Sequence, residues 1–114
     1  MEFAIEPGDV DPKQPLIYRW EVLDSTGRRV YCYVGKSKNG SLRAVNEYKN
    51  NLRKYFAGEP YRKGKPDGWR KVHLRLAEAI TNREQLVLTY LCNVQPHENI
   101  DEVESRLRAA HRCY

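Results

Sequence analysis

The sequence predicts an α+β domain, in which a small three-stranded, mainly antiparallel sheet is flanked by helices in the order β-β-α-α-β-α. Segments rich in β-branched and aromatic residues predict the strands, at residues 16–23, 30–34 and 86–94. Apolar residues at helical spacing predict the helices, at residues 41–57, 69–82 and from 99 onward. A chain of 114 residues supports one modest core, so we expect a single domain over residues 15–114.

Residues 1–14 precede this domain and are expected to form an irregular, acidic lead-in. Proline interrupts them more than once, and most of their charged residues are acidic: Glu2, Glu6, Asp9 and Asp11. Such a composition favours irregular structure over a helix or a strand.

The next segment, residues 16–34, is predicted to form a β-hairpin. Apolar and more polar residues alternate along its first strand, and one face of that strand is consistently apolar: Leu16, Tyr18, Trp20 and Val22. The sequence Asp-Ser-Thr-Gly at 24–27 supplies turn residues, which bring the second strand back antiparallel to the first.

A polar run follows the hairpin and leads into the first helix. The apolar residues of this helix recur at helical spacing from Ser41 to about Ala57, and Gly58 is a suitable stop. Arg43 and Glu47 lie on its opposite, polar side. Taken without a motif, Arg43 could equally be a solvated residue of that face.

The remaining elements are a loop, two helices and a strand. Residues 58–68 contain Gly and Pro among basic residues, which indicates an exposed loop. The second helix ends near Asn82 and carries His73 on its apolar face, where a core histidine is the favoured interpretation over a catalytic one. After the strand, Asn99 or Asp101 can cap the last helix.

The charge of the chain suits a polyanionic partner. The chain carries 20 Lys+Arg against 15 Asp+Glu, a net charge of +5. Basic residues concentrate in the loop and the second helix, where Asp67 is the one acidic residue between them: Arg62, Lys63, Lys65, Arg70, Lys71 and Arg75. We expect this segment to follow a nucleic-acid backbone through phosphate contacts, the alternative being a solvated loop and helix face.

The cysteines and the hydropathy of the chain indicate the cellular compartment in which the protein is expected. Cys32, Cys92 and Cys113 are odd in number and lack metal-ligand spacing, so reduced thiols in a cytosolic protein are expected. No apolar run is long enough for a membrane span or a secretory signal, so no membrane partner is expected.

Two short motifs and one arginine carry a resemblance to a known family. Leu16-Ile17-Tyr18 begins the first strand, Tyr33-Val34-Gly35 ends the second, and Arg43 follows that glycine by eight residues. Together they resemble the GIY-YIG nuclease family. The sequence Gly-Lys-Ser-Lys-Asn is similar to that of small phage nucleases and of the nuclease module of the bacterial excision-repair protein. The chain departs from the pattern in having Leu16 at the position of the first glycine and a somewhat longer hairpin.

The resemblance implies a metal-dependent endonuclease that hydrolyses DNA phosphodiester bonds. Tyr18 would handle the proton of the attacking water, Tyr33 would orient the water or the phosphate, and Arg43 would bind the phosphate. Lys36 would join Arg43 and the metal in lowering the tyrosine pKa. Lys38 would add a DNA contact. The protein would act in the cytoplasm of a bacterial cell or a phage-infected host, and a homo-oligomer is left open.

The resemblance also implies that Glu104 holds one Mg²⁺ or Mn²⁺ ion. On a helical wheel Glu104 lies at the margin of the apolar stripe of the last helix, whereas Glu102 points away from that stripe. A single carboxylate can suffice because water and substrate phosphate complete the coordination of such an ion. The alternative is a surface glutamate paired with Arg108 at i+4.

Further alternatives remain open. Many family members have a histidine or tyrosine one helical turn after the arginine, and here Glu47 occupies that position with Tyr48 next to it. Tyr48 has suitable chemistry, but its position on the helix indicates that it faces the core. Tyr18 and Tyr33 could be packing residues of strands. The rival function is a nucleic-acid-binding module that has lost turnover; a protein-interaction adaptor would need an exposed apolar surface.

Overall fold

The α+β class is confirmed by the computed structural model, which describes residues 2–114, with the backbone alone for Leu42 and Arg43. The elements in chain order are β1 Ala4–Glu6, β2 Leu16–Leu23, β3 Arg29–Ser37, α1 Ser41–Ala57, α2 Lys71–Thr81, β4 Gln85–Asn93 and α3 Ile100–His111. None of the helices in this part of the chain is long and apolar enough to cross a bilayer.

The sheet has four strands in the order β1-β4-β2-β3 and is mixed, so the three-stranded prediction was incomplete. The central strand β2 runs antiparallel to both β3 and β4, as expected, whereas β1 pairs parallel with β4. The lead-in is therefore not wholly irregular. Its strand is too short to show periodicity, and it is held by pairing with β4 and by Phe3, whose ring lies 4.9 Å from that of Trp20.

Strand β2 is buried on both faces, which makes the sheet the middle layer of the fold. Its residues Leu16, Tyr18, Trp20 and Val22 belong to a core shared with α1 and α2. On the opposite face, Ile17 packs in a smaller core with residues of β3 and α3. The helices therefore cover both sides of the sheet, with α3 alone on the second side.

The predicted turn, the Gly58 stop of α1 and the Asn99 cap of α3 are confirmed, whereas α2 begins at Lys71 rather than at Trp69. Asp24 accepts hydrogen bonds from the backbone N–H groups of Thr26 and Arg28, which closes the hairpin turn. Gly58 caps α1 in the left-handed conformation with φ at 72°, where glycine avoids the steric penalty of a side chain. The Asn99 side chain caps α3 by accepting from Asp101 and Glu102.

The expectation of three reduced thiols was wrong for two of them. Cys32 on β3 and Cys113 after α3 form a disulfide, with their Cα atoms 5.0 Å apart and a sequence separation of 81. Cys92 is a free thiol. The chain after α3 turns back along the outer edge of β3, where Tyr114 exchanges backbone hydrogen bonds with Cys32 and Val34 at 3.1 and 2.9 Å. This pairing could not be read from cysteine spacing.

Gly35 is required by a close approach of Tyr18 across the β2–β3 pair. The two residues are partners in the register. A Cβ atom added to Gly35 would lie 2.5 Å from both Cζ and the hydroxyl oxygen of the Tyr18 ring. The ring therefore crosses the strand at the one residue without a side chain.

We expect Gly35→Ala to destabilise the protein by roughly 1–3 kcal/mol, because the added methyl group overpacks a buried contact. Urea unfolding measures this loss. Gly64→Ala is the matched control, since nothing lies within 4 Å of a Cβ there. In a Tyr18→Leu variant, Gly35→Ala should cost much less unfolding free energy than in wild type. An equal loss in wild type and in Tyr18→Leu would show that the Tyr18 ring is not the cause.

Candidate active site

A cleft of about 400 Å³ lies where the end of β3, α1 and the start of α2 meet. We call it the basic cleft. Its lining includes three tyrosines, four cations and one carboxylate: Tyr18, Tyr48, Tyr61, Lys36, Lys38, Arg62, Arg70 and Glu47. Both candidate residues at the second helix position, Glu47 and Tyr48, thus reach this cleft.

Three tyrosine hydroxyls and one guanidinium are connected beside the basic cleft, whose described lining includes Tyr18, Tyr48 and Arg70 but not Tyr33. The hydroxyls of Tyr18 and Tyr48 are hydrogen-bonded at 2.9 Å. Arg70 donates from Nη2 to the Tyr48 hydroxyl at 3.2 Å and from Nη1 to the Tyr33 hydroxyl at 3.4 Å. We call these four residues the tyrosine–arginine cluster. It unites two predicted catalytic tyrosines with a tyrosine that sequence alone left ambiguous.

Arg70 was predicted only as a DNA contact, and its place in the cluster was missed. It is the N-cap residue of α2, and its backbone N–H donates to Nδ1 of His73 at 3.3 Å. His73 is buried and packs against the ring of Tyr48, with centroids 5.6 Å apart. The core interpretation of His73 is therefore confirmed, and His73 also fixes the residue that binds the tyrosines. Its position three residues after Arg70 was the available signal.

The tyrosines buried in the cluster are neutral at ordinary pH. Burial raises the pKa of Tyr18 to about 12, although the Tyr48 hydrogen bond and the charge of Arg70 oppose this rise. Burial also raises the pKa of Tyr48 well above its usual value. At Tyr18 the loss of solvent outweighs the charge of Arg70. The lowering expected from the metal, Arg43 and Lys36 together stays a prediction. Tyr33 is only half-buried.

Lys36 lines the basic cleft but is paired with α3. Its ammonium group donates to the carboxylate of Asp101 in the first turn of that helix. This hydrogen bond raises the pKa of Lys36 and lowers that of Asp101. Both side chains are exposed, so the pair is screened by solvent. Lys36 links the end of β3 to α3 in addition to contributing charge to the cleft.

Glu104 lies beside the cluster and is not among the described residues that line the basic cleft. Its side chain is 12% exposed, and its carboxylate is paired with Arg108 at 3.0 Å, the i+4 pairing that was the alternative to metal binding. Burial is the main cause of the raised pKa of Tyr18, and the charge of Glu104 adds to it. The carboxylate is thus close enough to act electrostatically on the site.

A metal ion at this site would have to be held by a single carboxylate. Within residues 2–114 there is no group of three or more His, Cys, Asp or Glu side chains that could hold an ion, apart from the undescribed side chains. Glu104 and Glu47 are the carboxylates near the cluster and the cleft. Either could hold Mg²⁺ or Mn²⁺ if water and a substrate phosphate completed the coordination, as is usual for Mg²⁺.

The structure locates only part of two predictions, the phosphate-binding role of Arg43 and the basic segment from Arg62 to Arg75. Arg43 lies in the first turn of α1, and its side chain is outside the described residues. In the basic segment, Arg62 and Arg70 reach the cleft, whereas Arg75 pairs with Glu84 at 3.1 Å. The exposed lysines of that segment are Lys63, Lys65 and Lys71.

His73 gives the fold a pH dependence whose sign is set by burial. Burial, helped by the charges of Arg70 and Arg62, lowers the pKa of His73 from 6.5 to about 4. Between these values the unfolded chain binds the proton more tightly than the folded one. Its contribution to stability is therefore complete above pH 6.5 and declines as the pH falls towards 4.

We expect wild type to lose roughly 3 kcal/mol more unfolding free energy than His73→Gln between neutral pH and about pH 4. Glutamine keeps a hydrogen-bond acceptor but does not titrate. Urea unfolding at several pH values, with His97→Gln as the matched control, measures the difference. Parallel curves for wild type and His73→Gln would contradict a buried neutral imidazole.

No family model, curated protein or solved structure matches this chain. The resemblance to GIY-YIG nucleases therefore stays a prediction that depends on the motif residues themselves.

Proposed function

We propose that the protein is a metal-dependent endonuclease that hydrolyses DNA phosphodiester bonds. The observation that carries this proposal is the tyrosine–arginine cluster, in which one guanidinium binds the hydroxyls of Tyr33 and Tyr48 at the wall of a basic cleft. A phosphodiester needs positive charge for its oxygens and a polar group near its attacking water, and the cluster supplies both.

Phosphate binding is the first task of the cleft. Lys36, Lys38, Arg62 and Arg70 line it, and together they can neutralise a strand backbone. The planar guanidinium of Arg70 can bind two oxygens at once, as a lysine cannot. Arg43, at the start of the adjoining helix, is proposed to bind the same phosphate.

Handling the attacking water falls to Tyr33 in this proposal. Tyr18 is neutral and has its hydroxyl bonded to Tyr48, so it serves to position Tyr48 rather than to accept a proton. Tyr33 is half-buried, and its hydroxyl receives a hydrogen bond from Arg70, which orients it. A bound Mg²⁺ ion, held by Glu104 or Glu47, would stabilise charge on the phosphoryl oxygens.

Nicking of supercoiled plasmid tests the proposal. We expect conversion to open circles with Mg²⁺ or Mn²⁺, none with EDTA, and none for Arg43→Ala. Circular dichroism must show that Arg43→Ala is folded. Activity that persists in EDTA, or equally in Arg43→Ala, would contradict a metal-dependent nuclease at this site.

The second candidate is a nucleic-acid-binding module without turnover. It is favoured by the pairing of Glu104 with Arg108 and by the raised pKa of Tyr18, since both leave a phosphate-binding surface with less capacity for catalysis. This candidate predicts DNA binding by the folded protein but no nicking with either metal. Metal-dependent nicking by wild type that is lost in Arg43→Ala would exclude it.

A further inference from the structure

A second groove shares Arg70 with the basic cleft. It has a volume of about 450 Å³ and is lined by three tyrosines, two cations and a valine: Tyr31, Tyr33, Tyr114, Arg70, Lys71 and Val72. We call it the aromatic groove. None of these described lining residues has an acidic side chain, and the charges of Arg70 and Lys71 favour an anionic ligand over a cationic one.

Two of the tyrosines form a stacked pair at one wall. The rings of Tyr31 and Tyr114 are stacked with centroids 5.5 Å apart and planes 20° from parallel. Tyr31 is half-buried and Arg75 lies over its ring at 5.7 Å, whereas Tyr114 is 73% exposed. An exposed ring that is already stacked offers its outer face to another flat group at little further cost in side-chain entropy.

Tyr114 is held in this position by its backbone. Its N–H donates to the carbonyl of Cys32, its carbonyl accepts from the N–H of Val34, and the neighbouring Cys113 is bonded to Cys32. The ring is therefore fixed on β3, although its side chain is mostly in solvent. Such fixed aromatic surfaces beside positive charge are how proteins bind single-stranded nucleic acid without reading its sequence.

The aromatic groove and the basic cleft share Arg70 as a lining residue. A phosphate bound by Arg70 in the cleft would leave the sugar and base of a neighbouring nucleotide facing the groove. Lys71 at the groove adds a charge for the next phosphate.

The geometry points to the aromatic groove as a stacking site for an unpaired nucleobase of the strand whose phosphate occupies the basic cleft. This inference rests on the proposed nucleic-acid binding and names its substrate class: DNA that is single-stranded or unpaired next to the scissile phosphate. Specificity would then follow from strand pairing rather than from base sequence, because every base has a face that can stack.

Binding in EDTA tests the groove separately from cleavage. Fluorescence anisotropy would compare a labelled oligothymidylate with an abasic sugar–phosphate strand of equal length and charge. We expect wild type to bind the strand with bases roughly five- to a hundred-fold more tightly, the range for one stacked base. Tyr114→Ala should remove this preference and leave the affinity for the abasic strand unchanged.

Tyr114→Phe should keep the preference, since its ring is retained, and Phe56→Ala should keep it as an exposed aromatic outside the groove. Tyr31→Leu is a second groove variant in case Tyr114→Ala unfolds. Equal binding of the two strands by wild type, or a preference that survives both groove variants, would overturn the inference. If the protein nicks plasmid but shows no preference for the strand with bases, the stacking site is contradicted and the nuclease proposal stands. If it shows the preference but does not nick, the stacking site is supported and the nuclease proposal is contradicted.

Discussion

Arg70→Gln is expected to lower plasmid nicking by roughly two to three orders of magnitude, the usual cost of removing one charge-stabilising donor from a phosphoryl or acyl transfer site. The guanidinium binds the hydroxyls of Tyr33 and Tyr48 and faces the cleft that would hold the phosphate. Its loss removes charge stabilisation of the phosphate and also removes the hydrogen bond that orients the Tyr33 hydroxyl. The measurement is the initial rate of nicking with Mg²⁺ at saturating enzyme.

Arg53→Gln is the matched control for Arg70→Gln. Arg53 is also a helix-associated arginine, but it is exposed and paired with Glu59 at 2.8 Å. Arg70→Lys should recover only part of the rate, because an ammonium group cannot bind both hydroxyls in the same geometry. If Arg70→Gln stays folded and nicks at the wild-type rate, the cluster is a packing feature and not the site of the chemistry.

Glu104→Gln is expected to abolish cleavage while DNA binding in EDTA stays the same or becomes tighter. Glutamine keeps the shape of the side chain and removes the charge that would hold the cation, and it also removes a negative charge near the bound phosphate. Two readouts follow this change: plasmid nicking, and Mn²⁺ binding to the protein–DNA complex by calorimetry.

Glu102→Gln is the control, because Glu102 is exposed on the same helix. Glu47→Gln is the competing variant, since Glu47 lines the basic cleft. If Glu104→Gln keeps full activity and Mn²⁺ binding while Glu47→Gln loses both, Glu47 rather than Glu104 is the residue that holds the metal. Activity in both variants would remove the single-carboxylate site from the mechanism.

The sequence predicted those parts of the fold that local patterns specify. Alternation along residues 16–23 identified the central strand, the Asp-Ser-Thr-Gly turn fixed the hairpin, and helical spacing placed α1 at its observed limits of Ser41 and Ala57. Periodicity and turn chemistry arise from neighbouring residues, so they are visible in a sequence. The second strand was predicted to end at Val34 but continues to Ser37, because Ser37 pairs with Leu16 across the hairpin.

The candidate site could be predicted only as a set of residue types. The motif indicated Tyr18 and Tyr33, but the cluster depends on Arg70, which lies 37 residues after Tyr33 and 22 after Tyr48. The direction of the Tyr18 pKa shift likewise depends on burial under α1 and on the approach over Gly35. Neither follows from spacing.

What the sequence determined by itself was the identity and relative order of the elements other than β1, and the chemical types available to a site. Only the tertiary structure decided the parallel pairing of β1 with β4, the Cys32–Cys113 disulfide and the burial that keeps Tyr18 neutral. Each of these depends on contacts between residues far apart in the chain. Their free energies come from packing and desolvation, which no local pattern of residues encodes.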